Sequence, residues 1–192
     1  MRIISGSARG TQIEAPEGMD TRPVTDRIRQ SLFNIWQFQI PHSHFLDLFS
    51  GSGSMGLEAL SRGAKKVVMV EKGDRQFDVI SRNLKKCHFT DGREVLLKDD
   101  VFHAIGLLEK KGEKFDFIYL DPPYTVDEIF DPVMDALGKS SLLDEDGELV
   151  IRSHTKKKMK ERYGNLEKVR EKKWGISTAH FYHLAKNPSE SD

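Results

Sequence analysis

From residue 45 onward, short apolar runs alternate with stretches of helical spacing. Phe45-Leu46-Asp47-Leu48-Phe49 reads as a strand, and Gly56 to Arg62 opens a helix. Val67-Val68-Met69-Val70 predicts a second strand. Asp74 to Lys86 is amphipathic, with Phe77, Ile80 and Leu84 at helical spacing. Val95-Leu96-Leu97, Phe115 to Leu120 and Glu148-Leu149-Val150-Ile151 predict three more strands, with helical stretches near 101–110 and 127–138 between them. Strand–helix alternation with short links predicts a mostly parallel α/β sheet covered on both faces. Thr178 to Leu184 alternates imperfectly and can close it.

The first 44 residues follow another pattern. Ile3-Ile4 and Gln12-Ile13 flank Gly6-Ser7-Ala8-Arg9-Gly10, which predicts a small hairpin. Thr25 can cap a helix whose Ile28, Leu32, Ile35 and Trp36 recur at i, i+4, i+7 and i+8. That stripe packs on the sheet. It leaves Arg9, Arg22, Arg27 and Arg29 gathered around it, free to face a ligand or RNA. The expected organisation is one domain over 1–186, made of an extension (1–44) and a core (45–186), with a frayed tail at 187–192.

A chain of 192 residues, 31% charged and 38% hydrophobic, has room for one domain with a substantial core. The lone Cys87 excludes an internal disulfide, no apolar stretch approaches a membrane span, and the N-terminus is not that of a signal peptide, so a cytoplasmic protein is expected. Basic and acidic residues balance overall, yet ten Lys or Arg face three Glu between Arg152 and Lys173, a local net charge of +7. Within it, Lys156, Lys157 and Lys158 can meet phosphates. The histidines are scattered, and no metal site is expected.

Gly51-Ser52-Gly53-Ser54-Met55-Gly56 satisfies G-x-G-x-x-G between a strand and a helix, and Glu71 ends the next strand. The glycines admit a ligand close to the backbone, the helix start offers N–H groups, and Glu71 can hold a ribose diol. NAD fits that much. Asp47, just before the loop, instead suits an α-amino group and repels a pyrophosphate, while Asp99-Asp100 after the third strand can accept from an adenine amine. Amino-acid, ribose and adenine sites in that order describe S-adenosylmethionine. After the fourth strand come Asp121-Pro122-Pro123-Tyr124: a carboxylate, two residues without N–H donors and a ring, equipment for an amine conjugated to a flat heterocycle or an amide.

The succession Phe45–Gly56, Glu71, Asp100 and Asp121–Tyr124 resembles the class I S-adenosylmethionine-dependent methyltransferases. Arg9-Gly10, Thr21-Arg22-Pro23-Val24-Thr25-Asp26-Arg27-Ile28-Arg29, Leu32-Phe33-Asn34 and Gly56 to Ala64 narrow the resemblance to the bacterial small-subunit (16S) ribosomal-RNA guanine-N2 methyltransferases, over roughly residues 1–152. It implies a Rossmann-like fold with a seven-stranded sheet. By position, it assigns Asp47, Gly51 and Gly53 to the methionine part of the cofactor, Glu71 to its ribose and Asp100 to its adenine. Arg22 and Thr25 help close that site, and Asp121, Pro122 and Tyr124 hold the guanine. The family usually has Glu at the end of the fifth strand, where this chain has Arg152.

Implied substrates are 16S ribosomal RNA or a small-subunit assembly particle, with the target base unpaired or flipped out and a monomeric enzyme. Arg9, Arg27, Arg29 and Lys156 to Lys158 would bind flanking phosphates, so affinity falls with salt. The residues alone leave other conjugated amines open, namely adenine N6, cytosine N4 or a glutamine amide, and also an RNA-binding assembly module without turnover.

Overall fold

The computed structural model describes residues 1–17 and 25–186. Thr25 accepts from the Ile28 backbone N–H and starts helix α1 (Asp26–Ile35). Strand and helix then alternate: β1 (His44–Leu48), α2 (Ser54–Ser61), β2 (Lys66–Glu71), α3 (Asp74–Lys86), β3 (Glu94–Lys98), α4 (Val101–Lys110) and β4 (Phe115–Leu120). A 3-10 turn (Asp127–Ile129) leads into α5 (Phe130–Lys139), followed by β5 (Leu143–His154), β6 (Arg162–Tyr163), β7 (Leu166–Trp174) and β8 (Ser177–Leu184). Among the described residues, no helix is long and apolar enough to cross a membrane.

The strands form one sheet in the order β3-β2-β1-β4-β5-β8-β7-β6. The first five are parallel, and the last three add antiparallel. Both faces are buried, as parallel strands require. On one face Ile28, Leu32, Phe33 and Trp36 of the N-terminal extension pack with Phe45 and Phe117. On the other, Ile105, Leu108, Val133 and Met134 cover Leu46, Ile118 and Leu149. The order of strands reverses at the β1/β4 boundary, which places a crevice beyond their carboxyl ends.

One expectation about the sheet needs correction. The sheet has eight strands, because part of the basic stretch is strand β7, with the two-residue β6 beside it. β7 pairs with β8 along its length and with β6 only at Leu166 and Glu167, so most of its side chains stay exposed and keep their charges. Their stems still cover aromatic rings: the Arg170 guanidinium lies 4.3 Å from the Phe181 centroid and the Lys172 ammonium 5.4 Å from that of Trp174. The N-terminal hairpin is present: Arg2 and Gln12 form an antiparallel bridge, and the Ile3, Gly10 and Ile13 N–H groups donate across it to the Thr11, Ile3 and Met1 carbonyls at 3.0, 2.8 and 2.9 Å. It is also tied to α2. The Ile4 and Ser5 N–H groups donate to the two Glu58 carboxylate oxygens at 2.8 and 3.1 Å. Gly6, at φ +89°, passes so close to α2 that a Cβ would lie 1.8 Å from the Ser61 carbonyl oxygen.

Arg29 belongs to this junction and not to an RNA-facing surface. Its side chain is 0% exposed, 3.4 Å from the equally buried Glu58, and it also pairs with Asp26 at 3.0 Å and donates to the Arg2 carbonyl. A guanidinium enclosed there cannot reach a phosphate. Burial lowers its pKa and Glu58 opposes that shift. Breaking a buried pair from one side leaves the other charge uncompensated, so Glu58→Gln is expected to cost about 3–5 kcal/mol of stability. Urea unfolding measures this directly; a variant as stable as the parent would show that Arg29 does not depend on Glu58.

Candidate active site

β1 carries Asp47 into the crevice, 1% exposed. One of its oxygens accepts from the Gly56 N–H of α2 at 3.2 Å. Burial is the largest cause that pushes this carboxyl up to about 8, with the nearby Asp121 and Glu71 charges adding to it. A buried acid held protonated near neutrality is poised to ionise when a cation arrives.

After Asp47 the chain turns through the glycine loop. Gly51 and Gly53 take φ +59° and +81°, and Gly53 caps α2 in the left-handed conformation, where a side chain would be strained. Gly56 answers another need: a Cβ there would lie 2.7 Å from the Met69 side chain, so it lets α2 pack closely on β2. Glu71, at the end of β2, accepts from the Gly51 N–H at 2.8 Å through one oxygen and from the Gly73 N–H at 3.0 Å through the other. It therefore braces the loop as well as bordering the crevice, and each oxygen retains a further lone pair. Asp100 is exposed at the start of α4; one oxygen accepts from the Phe102 and His103 N–H groups, so it is the N-cap of that helix. Thr25 has the same capping duty in α1, and Arg22 lies outside the described residues.

β4 delivers Asp121, Pro122 and Tyr124 beside Asp47, since β1 and β4 pair in register from Phe45 with Phe117 to Leu48 with Leu120. Here the structure adds a residue whose role the pattern did not reveal. Arg152, on β5 and 2% exposed, grips Asp121 with two parallel bonds, Nε to Oδ1 at 3.1 Å and Nη2 to Oδ2 at 2.7 Å. Its Nη1 donates to the Tyr124 hydroxyl at 3.0 Å and to Ser177 Oγ at 3.2 Å. The same hydroxyl lies 3.0 Å from Ser177 Oγ and 3.3 Å from the Ser153 carbonyl oxygen, and the guanidinium sits 5.4 Å from the Tyr124 ring centre. Burial pushes the Asp121 carboxyl up, and Arg152 opposes it. The available signal was a lone charge at the end of the apolar run Leu149-Val150-Ile151, because a buried charge requires a partner.

The basic candidates separate. Lys156, Lys157 and Lys158 follow β5 and, with His154 and Asp127, line an open cavity of about 530 Å³. His154 meets the Tyr124 ring edge-on with centroids 6.0 Å apart, so this cavity adjoins the Asp121 cluster. Lys157 pairs with Asp127 at 3.0 Å, while Lys156 and Lys158 are exposed. Arg9 and Arg27 are exposed on the N-terminal extension, and Arg29 is buried as described above.

The family model described as Conserved hypothetical protein 95 matches residues 1–183. The chain belongs to that family. Among its relatives is the putative rRNA methyltransferase YlbH of Bacillus subtilis, 32% identical over 95% of this chain and 98% of that protein. The Ribosomal RNA small subunit methyltransferase D of Escherichia coli is 35% identical over 65% of this chain and 60% of its own length. A solved structure of the putative methyltransferase yhhF from Escherichia coli superposes with a TM-score of 0.82 at 25% identity, covering 97% of this chain and 99% of that one. The fold is the Rossmann-like architecture of class I S-adenosylmethionine-dependent methyltransferases.

Proposed function

We propose that this protein transfers a methyl group from S-adenosylmethionine to the exocyclic N2 amine of a guanine in 16S ribosomal RNA. One observation carries the chemistry: the Asp47 and Glu71 crevice and the Asp121–Tyr124 cluster lie at the same ends of adjacent strands. The ribosomal-RNA substrate is supported by the names of the relatives, and the choice of guanine by the N-terminal Arg-Pro-x-Thr block.

The donor set fits the cofactor. A buried carboxylate that resists ionisation until a cation is present suits an α-ammonium group, so Asp47 takes that end, with Gly51 and Gly53 giving the backbone room beside it. Glu71 takes the ribose hydroxyls with its remaining lone pairs, and Asp100 the adenine amine through the oxygen not used in capping α4. Thr25, at the start of α1, helps close the cofactor site from the N-terminal side, a role the family resemblance gives to Arg22 as well. Bound in this way, S-adenosylmethionine supplies a methyl group already activated on a sulfonium.

What remains for the protein is placement. Asp121 and the Pro122 carbonyl accept the two amine protons, which pyramidalises the nitrogen and directs its lone pair toward the methyl carbon. Tyr124, fixed through its hydroxyl, packs on the base. As the N–C bond forms, the nitrogen becomes strongly acidic; Asp121 takes the released proton and passes it to water, so no strong base is needed beforehand. Arg9, Arg27 and Lys156 to Lys158 hold the phosphates around an extruded nucleotide, and the enzyme works as a monomer.

Nucleoside mass spectrometry of 16S ribosomal RNA from cells lacking the protein tests the reading. One N2-methylguanosine should disappear, and the purified protein with labelled S-adenosylmethionine should restore it. An unchanged N2-methylguanosine content would refute the guanine assignment, and loss of a methylated adenine or cytosine in its place would move the reaction to that base.

A further inference from the structure

Arg152 is buried at the point where the amine would be held, and no step of the reaction as described requires a cation there. Its two bonds to Asp121 occupy one lone pair on each carboxylate oxygen and fix the carboxylate plane. Its third arm reaches Tyr124 and Ser177, so one guanidinium sets the orientation of both the acceptor and the aromatic ring. A guanine edge, with N1–H beside N2–H, is itself a pair of parallel donors of the kind that Arg152 already presents to Asp121.

We propose that Arg152 is a positioning residue of the amine site, remaining paired with Asp121 when the base is bound and keeping that carboxylate ionised and correctly turned. This rests on the methyl-transfer reading above. Departure of the guanidinium would leave a 2%-exposed cation without its carboxylate, a costly exchange for one base contact. Asp121 therefore meets the substrate through a lone pair that Arg152 leaves open. The amine receives one bond from Asp121 and its second from backbone, and N1–H is not read by the carboxylate fork.

The groups around Asp121 show why a cation is needed. Asp47 faces it from β1, Tyr119 and Tyr124 from β4 and the segment after it, and Arg152 from β5; Glu71, at the end of β2, adds its charge to that at Asp47. Burial disfavours the carboxylate charge on Asp121, that charge and Glu71 in turn disfavour one on Asp47, and Arg152 is the cation set against the burial of Asp121. Without it, the acid limb of the pH–rate profile shifts to higher pH.

The test uses the full chain with labelled S-adenosylmethionine and small-subunit RNA or particles, comparing the parent with Arg152→Gln and Arg152→Lys from pH 5.5 to 9. Arg152→Gln is expected to lower kcat by ~10²-fold near neutrality, as misplacement of a reacting group does, and to raise the pH of the acid limb, with KM for RNA little changed. Arg152→Lys retains a cation but loses the fork, so its acid limb returns toward that of the parent while kcat stays reduced. In parallel, the Asp121 carboxyl carbon is titrated by 13C NMR in the free proteins, a readout independent of turnover; it should protonate at higher pH in Arg152→Gln than in the parent. Parental kcat in both variants, or reduced kcat with an unmoved acid limb and an unmoved carboxyl titration, overturns the proposal. If Arg152→Gln does not fold, Arg152→Lys decides, since parental kcat without the fork is equally fatal. A parent protein inactive on every RNA offered overturns the methyl-transfer reading instead, and the carboxyl titration still reports whether Arg152 controls Asp121.

Discussion

Asp121→Asn is expected to reduce the methyl-transfer rate by ~10³-fold, the scale of losing a preorganised group at the reacting centre, while cofactor affinity changes by less than about 3-fold. The substitution is nearly isosteric, so the difference lies in hydrogen-bond polarity. Asn turns one acceptor into an NH2 donor, which faces either the Arg152 guanidinium or the substrate amine, both of them donors already. It also removes the group that collects the proton from the methylated nitrogen. Affinity for S-adenosylmethionine is spared because Asp47, the glycine loop and Glu71 keep their own bonds. The same change removes the carboxylate charge set against the buried Arg152 guanidinium, so thermal stability falls together with activity. Calorimetry with the cofactor, beside single-turnover transfer to RNA, separates the two effects; parallel loss of binding and transfer would show that Asp121 serves the cofactor and not the amine.

Asp47→Asn is expected to act in the opposite sense on stability and on binding. With its folded-state pKa raised from 3.8 to about 8, Asp47 holds its proton more tightly in the folded chain than in the unfolded one. Its contribution is therefore fully present below about pH 4 and is lost as pH rises toward 8. Asn has no proton to lose and can still accept from Gly56. The variant should gain stability over the parent progressively between those pH values, by up to roughly 5 kcal/mol at the upper end. The cofactor pays the reverse: an ammonium facing a neutral amide loses a charge-assisted bond, and affinity falls by roughly 10- to 100-fold. In the parent, binding near pH 7 should release protons, a release that declines above pH 9, as calorimetry in buffers of different ionisation heat can show. Unfolding curves for the two proteins that stay a constant distance apart from pH 5 to 9, or parental affinity in the variant, would refute the role given to Asp47.

The reading of the chain and the observed fold agree where local chemistry carries its own signal. Strands buried on both faces have to be continuous apolar runs, so β1, β2 and β4 stand out as Phe45-Leu46-Asp47-Leu48, Val67 to Val70 and Phe115 to Leu120. A single carboxylate within such a run, glycines at a strand-to-helix turn, and two adjacent prolines are costly unless something requires them, which made Asp47, Gly51, Gly53 and Asp121 conspicuous. β7 carries no such signal. A strand near the sheet edge, exposed on both faces over Val169 to Lys173, keeps Lys168, Arg170, Lys172 and Lys173, and their charges resemble those of a solvated helix or loop.

Charge alone also misplaced Arg29. In the sequence it is one arginine beside Arg27, three residues after Asp26, and nothing local distinguishes a buried guanidinium from an exposed one. Only the packing of the N-terminal extension on α2 brings Glu58 to it across 29 residues of chain. Arg152 and Asp121 are likewise 31 positions apart, joined because β4 and β5 are neighbours in the sheet. Sequence by itself determined the alternating architecture, the glycine loop and the presence of carboxylates at the strand ends, because burial periodicity and backbone restriction act over a few residues. Tertiary structure alone decided which charges are paired, buried or open to a substrate, since an ion pair's worth depends on partners and solvent exclusion that adjacent strands and helices supply.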